Sequence, residues 1–209
     1  MRSTYSGSFW ALLNPFGLLA GLISLGMLTL HGATYLQMRT DGALHERARK
    51  TGVLLGVLVA VLFAVAGFWV AGMDGYVMTA SADVGAAMSP LQKTAELQAG
   101  AWLQNYSQYP LAILAPVVGF AGLLLASLFS LLNRGALAFV GSSLAQVGVI
   151  MTAGVSLFPF IMPSSLNPSD SLTVWDVVSS ELTLNIMFWV AMVFVPIVLS
   201  YTAWGYYKM

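Results

Sequence analysis

His31 is the one ionisable side chain that lies well inside a long apolar run of this sequence. An ionisable group at membrane depth is costly and usually functional. An imidazole there suits haem ligation, proton transfer, or a neutral hydrogen bond across helices. Ligation by two histidines needs a second one in the membrane, but His45 lies in the charged segment 39–50. His–Met ligation stays conceivable with 11 methionines, although Met more often fills gaps. We favour structural hydrogen bonding, with a proton or water route and haem ligation as alternatives.

The direction of His31 follows from helical geometry. On a helical wheel, it lies within about 20° of Ser24 and about 40° of Gly17. Small and polar residues mark the face that packs against other helices in a membrane. We therefore expect His31 to face other helices and not lipid.

The other polar candidates form no catalytic set that their spacing identifies. Gln146 and Asn185 lie within or near the ends of apolar runs, where interhelical hydrogen bonds are the usual role of amides. Asp74 and Glu181 lie at the boundary of such runs, and Asp176 lies in a loop. The chain has no cysteine, phosphate-binding loop, dinucleotide fingerprint or zinc-binding helix motif. We expect no catalytic, cofactor-binding or metal-binding residue in this chain.

Five long apolar runs predict an all-α integral membrane protein with a single membrane domain, 1–209. Hydrophobic residues make up 58% of the chain and charged residues 8%, and the mean hydropathy is +0.83. Soluble domains carry about 25% charge. A helix needs about 20 apolar residues to cross the hydrocarbon core, and the runs lack the alternation of barrel strands. The predicted spans are about 14–38, 53–73, 111–132, 136–162 and 182–204.

Two longer segments between the spans are predicted to be outer loops, 74–107 and 163–180. In the first, Ser89-Pro90-Leu91-Gln92 is typical of a helix start. Apolar residues then recur at three- and four-residue spacing up to Tyr106, which predicts a short amphipathic helix. This helix either lies on the membrane surface or packs against other loops.

Small residues at four-residue spacing favour close packing of the helices. The pairs are Gly17/Gly21, Gly52/Gly56, Ala115/Gly119, Gly141/Ala145 and Gly148/Thr152. The short Asn133-Arg134-Gly135 connection predicts an antiparallel pair of helices.

The distribution of basic residues predicts the orientation. Segment 39–50, Arg134 and Lys208 place six basic residues on one side of the membrane, against Arg2 and Lys93 on the other. The positive-inside rule then puts the C-terminus in the cytoplasm and the N-terminus outside. The formal net charge of zero argues against nucleic acid as a partner.

Several long and specific stretches carry a resemblance that covers almost the whole chain. They include HGATYLQMRT from His31, GAWLQNY from Gly100, FPFIMPSS from Phe158, SLTVWD from Ser171 and the closing PIVLSYTAWGYYKM. Together these stretches resemble the C-terminal half of subunit II of the cytochrome bd quinol oxidase family.

The resemblance implies a haem-free structural subunit of a terminal oxidase that oxidises quinol and reduces oxygen to water in the bacterial inner membrane. In that family, haem b and haem d are bound by subunit I, and a small single-span accessory subunit is common. The chain resembles the last five of nine spans, which implies a four-helix bundle followed by one peripheral helix. The family's acidic residue linked to proton entry and its structural quinone belong to the unmatched half, so no residue here inherits those roles.

Two other interpretations stay open. The family's subunit II is nearly twice as long as this chain, which fits a non-functional fragment of that subunit from a split or truncated gene. The second interpretation is a membrane permease subunit. Inverted repeats and broken helices would favour it, but the spans show no convincing repeat.

Overall fold

The fold is known from a computed structural model that describes residues 10, 13–80, 93–165, 167–175 and 177–208. Five of its helices are long and apolar enough to cross a membrane. In chain order, the helices of the described part are α1 (Pro15–Arg39), α2 (Gly42–Ala71), α3 (Gln104–Gln108), α4 (Leu114–Leu131), α5 (Gly135–Leu157) and α6 (Glu181–Lys208). A 3-10 turn, Pro110–Ile113, leads directly into α4. The predicted all-α membrane fold with five spanning helices is confirmed.

The start of α1 follows the local chemistry of the sequence. The side chain of Asn14 accepts a hydrogen bond from the backbone N–H of Gly17, and Pro15 occupies the first helical position. Both residues suit these positions, because the first N–H groups of a helix lack partners within the helix.

Two spans differ from their predicted bounds. Helix α2 begins at Gly42, not near residue 53, because the charged residues after Asp41 are already helical before the apolar part begins. Helix α5 ends at Leu157, not near residue 162. Pro159 has no N–H to donate and stops the helix, and Phe160–Met162 forms strand β3 instead.

The predicted amphipathic helix in segment 74–107 is wrong over Thr94–Ala99, which forms a strand. Strand β1 (Asp74–Ala80) pairs with β2 (Thr94–Ala99) in antiparallel register, with Asp74 opposite Ala99. Ala95 is the one buried residue of β2. Gly100 then takes a left-handed φ of 69°, which ends the strand and would interrupt a helix. The predicted helix start at 89–92 lies outside the described residues.

The loop 163–180 folds onto this first sheet. Strand β3 pairs with β4 (Leu172–Thr173) in a second small sheet. The rings of Tyr76, Trp102 and Phe160 have centroids 5.4–6.2 Å apart and join the two sheets. The Tyr76 hydroxyl also donates to the carbonyl of Ser164 at 2.6 Å. We call this side of the molecule the sheet end, and the side with the α1–α2 and α4–α5 connections the turn end.

Helices α1, α2, α4 and α5 pack around one apolar core. Its buried members are Ile23, Met27, Leu30, Val59, Ala60, Leu123, Ala126, Ala145 and Val149. Helix α6 differs, because none of its residues is buried.

Glycines set the close approach of α4 and α5. A β-carbon on Gly148 would lie 2.1 Å from the backbone nitrogen of Gly119, and one on Gly122 would lie 2.3 Å from that of Ala145. The two backbones are therefore in direct contact. The close helix approach predicted at Gly17/Gly21 is not found among the described residues, since a β-carbon on Gly21 meets nothing within 4 Å there and the atoms nearest to one on Gly17 belong to Asn14.

Candidate functional site

His31 hydrogen-bonds between helices α1 and α5. Its Nδ1 lies 2.9 Å from Oγ of Ser142, and that Oγ lies 2.9 Å from Oγ1 of Thr34. The hydroxyl of Thr34 also reaches the carbonyl of His31 at 2.9 Å. The imidazole stacks on Phe139, with centroids 4.5 Å apart and planes 27° apart. We call these four residues the His31 cluster.

The two hydroxyls of the cluster are satisfied beside a neutral imidazole. Ser142 and Thr34 each supply one hydroxyl hydrogen, and each hydroxyl oxygen can also accept. The backbone carbonyl of Phe139 accepts from Ser142 at 2.8 Å in the alternative arrangement. Every polar atom of the two hydroxyls therefore has a partner without a net charge, which suits a low-dielectric interior. This geometry matches the favoured prediction, a hydrogen bond across helices.

The imidazole of His31 has one ring face and one ring nitrogen occupied by residues of α5. One face of the ring is covered by Phe139, and Nδ1 is engaged by Ser142. Leu30 and Ala138, which neighbour His31 and Phe139 in the chain, are 1% and 0% exposed. Among the described residues, no three His, Asp or Glu side chains lie together in a way that could hold a metal ion.

A second buried polar group lies one helical turn towards the turn end. Nε2 of Gln37 donates to the carbonyl of Ser130 on α4 at 3.2 Å. Gly52 on α2 lies against both residues, and its missing side chain leaves room for the Ser130 hydroxyl. The hydroxyl of Ser127 donates to the carbonyl of Val53 at 2.9 Å. These contacts join α1, α2 and α4.

At the turn end, His45 joins the two connections between helices. Its Nδ1 lies 3.1 Å from the carbonyl oxygen of Thr40, and its Nε2 lies 2.6 Å from Oδ1 of Asn133. Asn133 has φ 58°, a left-handed conformation that Asn tolerates better than most residues. Arg49 holds Glu46 through two bonds of 2.9 Å. The α1–α2 and α4–α5 turns are thus tied together by side chains.

The remaining sequence candidates lie apart from these groups. Gln146 is half-buried and has no hydrogen-bond partner in the part of the chain that is described, so its predicted interhelical bond is not found there. Asn185 and Glu181 are exposed on α6. The carbonyl of Asp74 accepts from the indole of Trp102 at 3.0 Å. Asp176 lies outside the described residues.

Sequence reasoning overlooked most of the residues that surround His31. Thr34 and Gln37 follow it at three-residue spacing and therefore share its side of α1. That spacing was a usable signal for a polar stripe along the helix. The partner residues Ser142 and Ser130 carry no such signal, because serine is common in membrane helices and the pairing of helices is a tertiary property.

Comparison with known proteins shows the family of the chain. The sequence pattern of the family described as cytochrome bd terminal oxidase subunit II matches residues 1–209. The chain is 51% identical over 210 residues to cytochrome bd-I ubiquinol oxidase subunit 2 of Escherichia coli strain K12, covering 100% of this chain and 55% of that protein.

Two further relatives agree. "Probable cytochrome oxidase subunit 2" of Haemophilus influenzae is 48% identical over 206 residues, which cover 99% of this chain and 54% of that protein. Cytochrome bd ubiquinol oxidase subunit 2 of Bacillus subtilis is 26% identical over 199 residues, which cover 93% and 49%. The chain therefore spans about half the length of the relatives it matches, and it belongs to the cytochrome bd terminal oxidase subunit II family.

Proposed function

We propose that this chain is a haem-free structural subunit of a bd-type oxidase, which oxidises quinol and reduces oxygen to water. Its membership of the subunit II family supports the assignment to that complex. The observation that carries the structural role is the His31 cluster, in which the one histidine at membrane depth is engaged by Ser142 and covered by Phe139. In this proposal, haem b and haem d belong to the partner, the haem-bearing subunit I.

We further propose a multi-pass location in the bacterial inner membrane, with the N-terminus outside and the turn end in the cytoplasm. The basic residues of segment 39–50 and Arg134 lie at the turn end and support this orientation. The partners in this proposal are subunit I, a small single-span accessory subunit and membrane lipid.

Co-purification tests the proposed complex. We expect a C-terminally tagged form of the chain, isolated from its native membranes, to bring down a larger membrane subunit whose absorption spectrum contains haem d. Untagged cells serve as the control for non-specific capture. A tagged chain that emerges without any haem-bearing partner would overturn the proposal.

One alternative has its own support. The chain covers 55% of the length of its E. coli relative, as expected for a non-functional fragment. Expression of the chain in a strain that lacks subunit II separates the two proposals. Restored quinol oxidase activity eliminates the fragment alternative, and a chain that accumulates normally without restoring activity favours it.

Substitution of His31 separates a structural role from a redox role. We expect His31→Gln to retain haem content and turnover of the complex nearly unchanged, because an amide can still bond Ser142. His31→Leu removes that bond and should lower the free energy of unfolding by about 1 kcal/mol. The measurements are the haem spectrum and the thermal unfolding of the purified complex. Loss of one haem signal in His31→Gln would show that His31 is a ligand.

A further inference from the structure

Two buried polar atoms of the four packed helices have no hydrogen-bond partner among the described residues. They are Oε1 of Gln37 and Oγ of Ser130. Gln37 is 3% exposed and Ser130 is 0% exposed. Native interiors leave few polar atoms in this state, and a bound water is a common explanation.

Both atoms lie beside the same point of the structure, the place where Gly52 has no side chain. A β-carbon on Gly52 would lie 2.6 Å from Oγ of Ser130 and 3.9 Å from Oε1 of Gln37. The amide nitrogen of Gln37 already donates to the carbonyl of Ser130, so its Oε1 is left as an acceptor. The hydroxyl of Ser130 is left as a donor.

A ligand at this point must therefore accept one hydrogen bond and donate another. It must also be neutral and small, since none of the three residues is charged and an unpaired ion in the interior is costly. Water meets each of these conditions. We propose that Gln37, Ser130 and Gly52 form a binding site for a single water molecule between α1, α2 and α4.

The position of this site connects it to the His31 cluster. Thr34 lies three residues before Gln37 on the same side of α1 and bonds Ser142. The water would extend the polar stripe of α1 by one turn beyond Thr34, towards the turn end. It would also add a second polar link between α1 and α4, beside the bond from Gln37 to the Ser130 carbonyl.

Density from electron cryo-microscopy of the complete complex, purified from native membranes and resolved to about 2 Å, tests the proposal. We expect an isolated peak within about 3.2 Å of both Oε1 of Gln37 and Oγ of Ser130. A direct bond between these two atoms with no peak overturns the proposal. Absence of a peak with the atoms still apart overturns it equally.

Two substitutions test the site by a separate measurement. Gly52→Ala puts a methyl group at the point beside both atoms, so we expect loss of the peak and a fall in Tm of about 4 °C or more. Gly21→Ala is the matched control, because its β-carbon meets nothing within 4 Å in the described structure, and it should leave the peak and Tm unchanged. A peak that persists in Gly52→Ala contradicts the proposal.

Gln37→Met provides a variant without added bulk, in case Gly52→Ala fails to fold. Methionine is close to glutamine in size but supplies no amide oxygen, so we expect the chain to fold and the water peak to disappear. A peak that stays in place shows that Gln37 does not bind the water and overturns the proposal.

Discussion

Replacement of Gly148 by alanine is expected to prevent the chain from accumulating in the membrane. The new β-carbon would lie 2.1 Å from the backbone nitrogen of Gly119 and 2.5 Å from its Cα. Backbone atoms within a helix cannot turn away as a flexible side chain can, so the two helices must separate along their length. Separation removes packing contacts, which drive association of helices in lipid where the hydrophobic effect does not. We expect the free energy of unfolding to fall by about 3 kcal/mol or more.

The same helix supplies the control for this prediction. A β-carbon on Gly154 meets nothing within 4 Å in the part of α5 and its surroundings that is described. Gly154→Ala should therefore match the unaltered chain in amount and thermal stability. Immunodetection of the chain in isolated membranes measures the effect, and equal amounts of the two variants would contradict the close contact of α4 and α5.

Truncation of Leu123 to alanine is expected to produce the second large loss of stability. Its side chain is 0% exposed and belongs to the core of the four packed helices. In water-soluble proteins, Leu→Ala at such sites costs about 2–5 kcal/mol, from transfer and from the cavity left behind. The transfer contribution is reduced when the separated helices face lipid. We therefore expect Leu123→Ala to lower the free energy of unfolding by about 2 kcal/mol through lost packing.

Leu124 is the matched control for Leu123, since it neighbours Leu123 on α4 and is 53% exposed. Leu124→Ala removes the same atoms from a surface that faces outward from the core, and it should lower the stability by much less. Thermal unfolding of the purified variants gives the comparison. Similar losses for both variants would show that the core does not lie where the structure places it.

The elements that could be predicted from sequence are those set by local physics. The number of spans follows from the length of the apolar runs, and the start of α1 follows from Asn14 and Pro15. Segment 94–99 was mispredicted because Ala95, Ala99 and Trp102 fit a helical period. The pairing of β2 with β1 decides its structure, and pairing between distant segments is a tertiary effect that overrides local preference.

The polar groups likewise divide into features set by one helix and features set by the packing of several. The sequence predicts that His31 faces other helices, since its direction depends on one helix alone. Its partner Ser142 lies 111 residues away and could be found only once α1 and α5 were placed side by side. The orphaned atoms of Gln37 and Ser130 likewise emerge only from the packing of three helices.

The backbone contact of α4 with α5 bears on how the chain enters the bilayer. The two helices follow each other after a three-residue connection, and their apolar stretches have mean hydropathies of 2.4 and 1.7. Helix α5 carries the hydroxyl and amide side chains Ser142, Ser143, Gln146 and Thr152. Insertion of α4 and α5 as a single hairpin would let the more apolar α4 bring its polar neighbour into the membrane, and Ser142 would then gain its partners His31 and Thr34 when α1 packs against α5.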